Sequence, residues 1–447
     1  MFPRRDFLAR TLGGSSLLAV GGIVPEFLAN TAQAAEKAPK GKDTILVVVE
    51  LTGGNDGLNM VAPYGDDLYQ KLRPTLAHTR KDILKIDDYV GLHPRMRELK
   101  TLYDQKQLAI VQGVGYPNPD RSHFESMDIW QLADPKRSQT NGWLARTIPG
   151  MTVNEAGVPG MYIGRERLPL AMQGADGGVI SLADRDSFHL KLTGNAKPRK
   201  QLLEDLNSGD DPKAAELAAF VRKRQLQTYT SLQKIEEALG EIKTKGQPEP
   251  VRPGRPQRGD NDNINSLAGK LNLIARLINK GLGTRLYYAA IDGFDTHSQQ
   301  AEAHAGLMGE VSNAIGTFFT ALGQNNERVV LTTYSEFGRR VKENGSRGTD
   351  HGAASCMFVA GPKVVGGLVG KYPKLNDLSD GDLKFGIDFR AVYASLLDGW
   401  LGVESRTVLG DKFPALPLVD RAKKVEPPKK TSPKGVPDSP IPPPVKE

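Results

Sequence analysis

The chain has 447 residues, of which 39% are hydrophobic and one, Cys356, is a cysteine. This composition allows a sizeable core, whereas a single cysteine excludes an intramolecular disulfide and every zinc site built from several cysteines. The net charge of +7 is concentrated at the termini, with +1 in residues 1–34 and +4 in residues 421–447. The body is therefore nearly neutral and lacks the basic surface that binds nucleic acid.

Residues 1–34 are typical of a twin-arginine export signal. Arg4 and Arg5 precede an apolar, glycine-rich stretch from Leu12 to Val24, and Ala32-Gln33-Ala34 matches a small-x-small cleavage pattern. The alternative, a membrane anchor, is disfavoured because the apolar stretch is shorter than the roughly 20 residues that cross a bilayer. We predict cleavage after Ala34, passage through the twin-arginine translocase and a periplasmic or extracellular location.

Five apolar segments rich in β-branched residues predict buried parallel strands. They are Asp43 to Leu51, Gln107 to Val114, Thr284 to Ile291, Arg328 to Thr333 and Cys356 to Ala360. Segments with helical periodicity separate or follow them: His93 to Asp104, Phe124 to Leu132, Ile264 to Leu282, His304 to Leu322 and Phe389 to Leu401. This alternation predicts an α/β fold with a doubly wound, mainly parallel sheet over residues 35–420, in which ligands bind at the carboxyl ends of the strands.

Two segments depart from the alternation. Residues 148–263, approximately, are predicted to form a cap or insertion, with strand-like pieces followed by a charged amphipathic helix from Lys213 to Lys245. The tail, residues 421–447, contains eight prolines and no apolar period, so we predict that it is disordered.

Polar clusters lie at the predicted strand ends. After the first strand, a glycine-rich turn presents Asp56, although a plain turn explains the same residues. After the second strand, Arg121 and Ser122 precede a helix. Ser122 could be a nucleophile favoured by the helix dipole, or an ordinary N-cap completed by Glu125 in a capping box.

The remaining clusters carry ligand types that suit zinc or manganese. Asp295 and His297 form a D-x-H pair, which could equally be a polar loop with Asp295 as a helix cap. Glu336 and Arg339 follow the next strand. Asp350 and His351 precede the strand at Cys356; because neighbours on an extended chain point oppositely, one would bind a metal and the other would support it.

A ligand-binding site is favoured because the predicted sheet brings these clusters together. Three of the seven histidines, His123, His297 and His351, fall at positions that a parallel sheet would bring to one edge. The other four, His78, His93, His189 and His304, have no partner at ligand spacing and are predicted to be structural.

Five motifs give the chain a resemblance to the domain of unknown function 1501 family, whose members are twin-arginine-exported proteins distantly similar to the alkaline phosphatase and sulfatase superfamily. The motifs are GGNDGLN (53–59), RSHF (121–124), FDTHSQQ (294–300), SEFGR (335–339) and GTDHG (348–352). The resemblance covers about residues 1–420 and implies an alkaline-phosphatase-like fold.

The superfamily resemblance also implies roles for individual residues. It places a metal-binding carboxylate at Asp56, the nucleophile at Ser122, an Asp-His metal pair at Asp295 and His297, and a final metal-binding histidine at His351. Phe337 departs from the pattern, because the superfamily has a histidine there and phenylalanine cannot bind a metal.

These observations lead to two hypotheses. The first is an exported, metal-dependent hydrolase of small-molecule or polysaccharide phosphate or sulfate esters, with Ser122 as nucleophile and Arg121 or Arg339 neutralising the ester oxygens. Zinc is the expected metal, with manganese or calcium as alternatives, and its ligands are drawn from a set of six: Asp56, Asp295, His297, Glu336, Asp350 and His351. The second is a non-catalytic envelope protein that keeps the fold and binds a metal or a glycan; the oligomeric state is left open.

Overall fold

The computed structural model describes residues 44–151, 158–164, 166–174, 179–182, 265–372 and 374–421. The predicted export signal, most of the predicted insertion and the tail beyond Arg421 lie outside this part of the chain. None of the helices within it is long and apolar enough to cross a membrane.

The structure contains fourteen strands and nine α-helices in the described residues. The strands are β1 (Ile45–Leu51), β2 (Val61–Ala62), β3 (Leu84–Lys85), β4 (Gly91–Leu92), β5 (Leu108–Gly115), β6 (Gly160–Ile163), β7 (Val179–Leu182), β8 (Leu286–Ile291), β9 (Val329–Tyr334), β10 (Ser355–Ala360), β11 (Gly367–Val369), β12 (Leu378–Ser379), β13 (Asp382–Leu383) and β14 (Ile387–Asp388). The α-helices are α1 (Gly57–Met60), α2 (Asp67–Leu72), α3 (Arg97–Asp104), α4 (His123–Leu132), α5 (Trp143–Thr147), α6 (Leu267–Asn279), α7 (Gln300–Leu322), α8 (Phe389–Leu396) and α9 (Ser405–Leu409).

The central sheet has nine strands in the order β11-β5-β10-β9-β1-β8-β6-β7, and β14 also pairs with β5. β1 lies at its centre, parallel to β8 and β9, and all seven of its residues are buried. β10 is the exception in direction, because it runs antiparallel to both of its neighbours, β5 and β9. The strands β2, β4 and β3 form a small separate sheet, and β12 pairs with β13.

Helices cover both faces of the central sheet, as a doubly wound fold requires. On one face, alternate β1 residues such as Val47 and Val49 pack with α3, α6 and α7. On the other face, Leu46 and Val48 pack with α4, α5, α8 and α9. This two-sided burial explains why β1 is a continuous apolar run rather than an alternating one.

The predicted α/β fold with a mainly parallel sheet is confirmed, and all five predicted strands form with ends shifted by at most two residues. Two findings differ from the prediction. The strand at Cys356 is antiparallel, and β6 and β7, from within the predicted insertion, extend the main sheet beyond β8. The amino-terminal end of β10 therefore lies at the same edge as the carboxyl ends of β5 and β9.

Candidate metal centre

Four side chains meet at the carboxyl edge of the sheet, and we call them the edge cluster: His123, Asp295, His297 and His351. His123 is the first residue of α4, which follows β5, and Asp295 and His297 lie in the loop after β8. His351 precedes β10 and reaches this edge only because β10 is antiparallel.

The carboxylate of Asp295 is at the centre of the edge cluster. Its Oδ1 lies 3.0 Å from His297 Nε2 and 3.1 Å from His351 Nε2, and its Oδ2 lies 3.4 Å from His123 Nε2. One ligand atom each from His123, Asp295 and His351 falls within 4.8 Å of the others. Two or three imidazoles with one carboxylate form a donor set that suits zinc.

The second ring nitrogen of each histidine faces an oxygen. His123 Nδ1 is 2.9 Å from Glu336 Oε1, His351 Nδ1 is 2.8 Å from the carbonyl oxygen of Arg121, and His297 Nδ1 is 3.4 Å from Asp350 Oδ1. An oxygen acceptor keeps the proton on Nδ1 and leaves the Nε2 lone pair free for a metal. His297 Nε2 and His351 Nε2 are 2.9 Å apart.

Electrostatics at the edge cluster favour a cation. The hydrogen bond that His123 Nδ1 donates to the Glu336 carboxylate, more than the opposing effect of burial, raises the pKa of His123. Burial alone would raise the pKa of Asp295, but hydrogen bonds from Arg339 and His351 outweigh it and hold this pKa at about 2. Asp295 is therefore a carboxylate at any ordinary pH.

Glu336 supports His123 from behind rather than joining the cluster. Its side chain is fully buried, Oε1 accepts a hydrogen bond of 2.7 Å from the Gly53 amide, and Oε2 accepts one of 3.0 Å from Ser335 Oγ. Gly53 has φ +116°, and a Cβ there would lie 2.5 Å from the Asp295 amide nitrogen, so this approach requires glycine. In this arrangement Glu336 orients His123, which differs from the predicted metal-ligand role.

Arg339 is occupied as a structural clamp, which contradicts its predicted contact with an ester. Its fully buried guanidinium donates to the carbonyl oxygens of Gly53, Gly54, Phe294 and Thr349 and to Asp295 Oδ1. No part of the side chain is exposed to a substrate, so Arg339 fixes the loops that carry the cluster.

Asp56 is also placed differently from the prediction. It forms a salt bridge with Arg73, 2.5 Å from Oδ2 to Nη1, in which both side chains are fully buried, and Oδ2 also accepts a hydrogen bond from Gln300. Asp295 also pairs with a buried guanidinium, that of Arg339, but its side chain is 46% exposed and faces three histidines, whereas the side chain of Asp56 is fully buried. Of the six predicted metal ligands, Asp56 and Glu336 are therefore both buried away from the edge cluster's ion position.

Arg121 and Ser122 lie beside the edge cluster. The Arg121 guanidinium pairs with Asp380 and Asp382 at 2.8 and 2.6 Å while its carbonyl oxygen holds His351, so its described contacts are structural. Ser122 is the exposed N-cap of α4, but its hydroxyl makes no capping hydrogen bond, and the capping box with Glu125 is not formed. The hydroxyl is therefore free to react or to bind.

Phe337 forms an apolar wall where the superfamily resemblance implies a histidine. Its ring centroid lies 4.5 Å from that of His351 and 5.0 Å from that of His123. A Cβ on Gly54 would lie 2.2 Å from this ring, so the ring and the glycine turn occupy adjoining space.

The sequence places His123 at the predicted edge with His297 and His351, but the predicted set of metal ligands does not include it. The missing information was the partner, because Glu336 is 213 residues away along the chain. The sequence gives His78, His93 and His304 no partner at ligand spacing, whereas the fold brings their rings into edge-to-face contact. The ring centroids of His78 and His93 are 4.5 Å apart, and those of His93 and His304 are 5.8 Å apart.

The fold and the site define this chain as a three-layer α/β protein with a candidate metal centre at the carboxyl edge of its sheet. The chain belongs to the family described as "Protein of unknown function (DUF1501)", whose model matches residues 43–411. No curated protein matches it.

Several solved structures are similar to this chain at low identity. The sulfatase PsFucS1 from Pseudoalteromonas sp. is 12% identical with a TM-score of 0.35, over 90% of this chain and 78% of that one. The phosphonate monoester hydrolase of Agrobacterium radiobacter is 9% identical with a TM-score of 0.36, over 83% and 78%. The C-terminal periplasmic domain of EcEptC from Escherichia coli, solved in complex with Zn, is 10% identical with a TM-score of 0.31, over 71% and 73%. At such TM-scores these likenesses say nothing about activity.

Proposed function

We propose that this protein is an exported hydrolase of phosphate or sulfate esters that depends on one divalent metal ion. The observation that carries the proposal is the convergence of three histidine Nε2 atoms on Asp295, each with its Nδ1 facing an oxygen. His123, Asp295 and His351 would hold the ion, with His297 as a fourth ligand. The imidazole-rich donor set favours zinc, then manganese, over calcium, which prefers oxygen ligands.

The residues around the edge cluster suit an anionic ester. The Ser122 hydroxyl stands at the N-terminus of α4, one residue before His123, where exposed amides and the helix dipole attract an anion. A bound cation would polarise an ester oxygen as a Lewis acid. Ser122 is the nucleophile of the proposal, and the helix N-terminus takes the charge-neutralising role that Arg339 cannot fill.

The test begins with elemental analysis of the mature protein purified without added metal or chelator. We expect about one metal ion per chain, as in other zinc sites of this donor type. The double variant His297→Ala, His351→Ala should lose the ion. The matched control, His93→Gln with His304→Gln, removes two histidines elsewhere and should retain the ion if it folds. Absence of metal from the parent protein, even after adding it back, would contradict the proposal.

The hydrolase assignment is tested with 4-nitrophenyl phosphate and 4-nitrophenyl sulfate. Activity in the metal-loaded protein should fall by about 10²-fold or more in Ser122→Ala, since the nucleophile is removed. Unchanged hydrolysis in Ser122→Ala would sink the nucleophile assignment while leaving the metal site intact.

The second candidate is a non-catalytic protein that binds a metal or a glycan. It is favoured by the burial of Asp56 against Arg73 and by Phe337 in the wall, which leave one candidate metal position rather than two in the described residues. A stoichiometric metal with no turnover of either ester would support this candidate.

Export forms a separate part of the proposal, because residues 1–34 lie outside the described part of the chain. Replacing Arg4 and Arg5 by lysine should trap the precursor inside the cell. Cell fractionation with an antibody against the mature protein measures the distribution, and an unchanged distribution would contradict the twin-arginine route.

A further inference from the structure

A second polar site lies beside the edge cluster at the same edge of the sheet. A cavity of about 460 Å³ opens where β1, β8 and the segment after β6 end, against the first turns of α6. A cavity of this size matches those that hold small molecules, which are typically about 300–1,000 Å³. Its lining includes Glu50, Thr52, Gln131, Tyr162, Lys270 and Asp292.

The floor of the cavity is a rigid, buried carboxyl group. Glu50 is 6% exposed, and it accepts hydrogen bonds from Thr52 Oγ1 at 2.9 Å, from Gln131 Nε2 at 3.0 Å and from Tyr334 Oη at 3.0 Å. Tyr288 Oη also donates to it. So many donors fix the position of Glu50 before any ligand arrives.

A buried ammonium group on the cavity wall has spare donors. Lys270 is 7% exposed, and its Nζ donates one hydrogen bond of 2.7 Å to the carbonyl oxygen of Ala290. An ammonium group has three N–H donors, and a buried donor without an acceptor is costly. Two donors of Lys270 therefore remain for water or for ligand oxygens in the cavity.

The charges around the cavity exclude two classes of ligand. Four carboxyl side chains, from Glu50, Glu166, Asp292 and Glu310, line it with only two cationic side chains, from Lys270 and Arg167. This acidic excess disfavours an anion. An apolar ligand would exclude water from the buried ammonium and carboxyl groups without replacing its hydrogen bonds, which is unfavourable.

We infer that the cavity binds a neutral, polyhydroxylated molecule such as a sugar. A hydroxyl group accepts a hydrogen bond from Lys270 while donating one to a neighbouring carboxylate, so vicinal hydroxyls satisfy both kinds of lining group at once. Binding of this kind does not depend on the metal or on ester hydrolysis.

The position of the cavity suggests how it relates to the edge cluster. Asp292 is three residues before Asp295, so the Cα atoms of these two residues are at most about 11 Å apart. Thr52 is next to Gly53, whose amide holds Glu336 behind His123. A sugar in the cavity could therefore present an ester to the edge cluster, an extension that rests on the proposed function.

The test uses the full mature chain and measures how fast Lys270 reacts with a labelling reagent. Acetic anhydride labels lysines, and mass spectrometry quantifies Lys270 against the exposed Lys81 in the same molecule. The probes are maltose, cellobiose, lactose and N,N′-diacetylchitobiose, with spermidine as the cationic and inorganic sulfate as the anionic comparison. At ten times its Kd, a bound sugar should slow labelling of Lys270 about tenfold and leave Lys81 unchanged.

Saturation-transfer NMR of the same sugars with Lys270→Met provides the second measurement, and the transfer seen with the parent protein should disappear. The inference is overturned if none of the four sugars protects Lys270, or if spermidine or sulfate protects it better than they do. Repeating the labelling in the double variant His297→Ala, His351→Ala distinguishes sugar binding in the cavity from metal binding by the edge cluster. Loss of the metal should leave sugar protection intact, and failed protection in a metal-loaded parent would count against the cavity alone.

Discussion

Two groups of three histidines in this chain are arranged for opposite purposes. In the edge cluster, His123 Nδ1 faces the carboxylate of Glu336, so a proton or a cation on the ring is stabilised. In the buried histidine cluster (His78, His93 and His304), His93 Nδ1 accepts a hydrogen bond from the Arg95 amide and His304 Nε2 faces Asn55 Oδ1. The same side chain is thus held ready for a cation in one region, whereas in the other it is held neutral, mainly by burial.

The neighbouring charges sharpen this contrast. Next to the buried histidine cluster, the Asp56 carboxylate is fully buried and paired with Arg73, and burial of the rings outweighs its effect on the histidine pKa values. Burial lowers the pKa of His93 to about 2 and that of His304 to about 4. A count of histidines and carboxylates near one another therefore does not identify a metal site; the accessibility of the carboxylate also matters, since Asp295 is 46% exposed and Asp56 is fully buried.

The largest expected effect is a loss of stability without a loss of metal binding. Asp56→Ala leaves Arg73 buried without a partner and should lower the free energy of unfolding by about 3–5 kcal/mol, with metal content unchanged in the folded fraction. Asp295→Ala also leaves a buried guanidinium, that of Arg339, without its carboxylate, but Asp295 is half exposed and water screens the pair, so the loss of stability should be smaller while metal binding is abolished. Urea unfolding of the metal-free proteins and elemental analysis measure the two effects. The reverse pattern, with metal lost in Asp56→Ala only, would break the comparison.

Acid should destabilise the folded protein through the buried histidine cluster. His304 is neutral in the folded protein down to a pKa of about 4, whereas its pKa in an unfolded chain is near 6.5, so the unfolded state binds more protons between these values. Stability is therefore complete above about pH 6.5, falls as the pH drops, and loses about 3 kcal/mol by pH 4 from this residue.

The measurement is the free energy of unfolding of metal-free protein from pH 7.5 to 4. His304→Gln is the matched variant, because the glutamine amide can still donate to Asn55 but does not titrate in this range. A slope as steep in this variant as in the parent would assign the acid sensitivity to other groups.

A smaller effect, on metal affinity, is expected for a change at Glu336, which lies behind His123. Glu336→Gln keeps an oxygen for the Gly53 amide but removes the negative charge facing His123 Nδ1, so metal affinity should fall about 10–100-fold. Competition with a chromophoric chelator measures the affinity. Glu302→Gln, an exposed charge change on α7, is the control and should leave it unchanged; equal affinities for all three proteins would remove Glu336 from the site.

The smallest effect compares two helix starts. Ser122→Ala should change the free energy of unfolding by less than about 0.5 kcal/mol, because the hydroxyl caps nothing. Ser266→Ala at the start of α6 should cost about 1 kcal/mol, because that hydroxyl accepts a hydrogen bond from the Gly269 amide. Thermal or urea unfolding distinguishes them, and a larger loss in Ser122→Ala would show that this serine is structural.

The sequence was sufficient where structure depends on local pattern. Continuous apolar runs identified β1, β5, β8, β9 and β10, and the polar residues at their ends identified the edge where the histidines meet. The direction of β10 could not be read from Cys356 to Ala360, because a short buried strand looks the same in either orientation.

Pairings between residues that are distant along the chain could not be predicted from the sequence either. Asp56 and Arg73 are 17 residues apart, and Arg339 and Asp295 are 44 apart, so no local periodicity marks them as partners. Each pairing changed the interpretation of a candidate residue, because the side chains of Asp56 and Arg339 are fully buried and so do not meet a ligand.

The reversed direction of β10 has one more consequence. The chain leaves β9 at Tyr334 and re-enters β10 at Ser355 without leaving the carboxyl edge, so one surface connection carries Glu336, Arg339, Asp350 and His351. His123 and Asp295 arrive there from other parts of the chain. An ion bound by His123, Asp295 and His351 would close two long loops at once, and so would restrict the unfolded chain much as a pair of disulfides does. In a chain with a single cysteine, the metal would be the available form of cross-link.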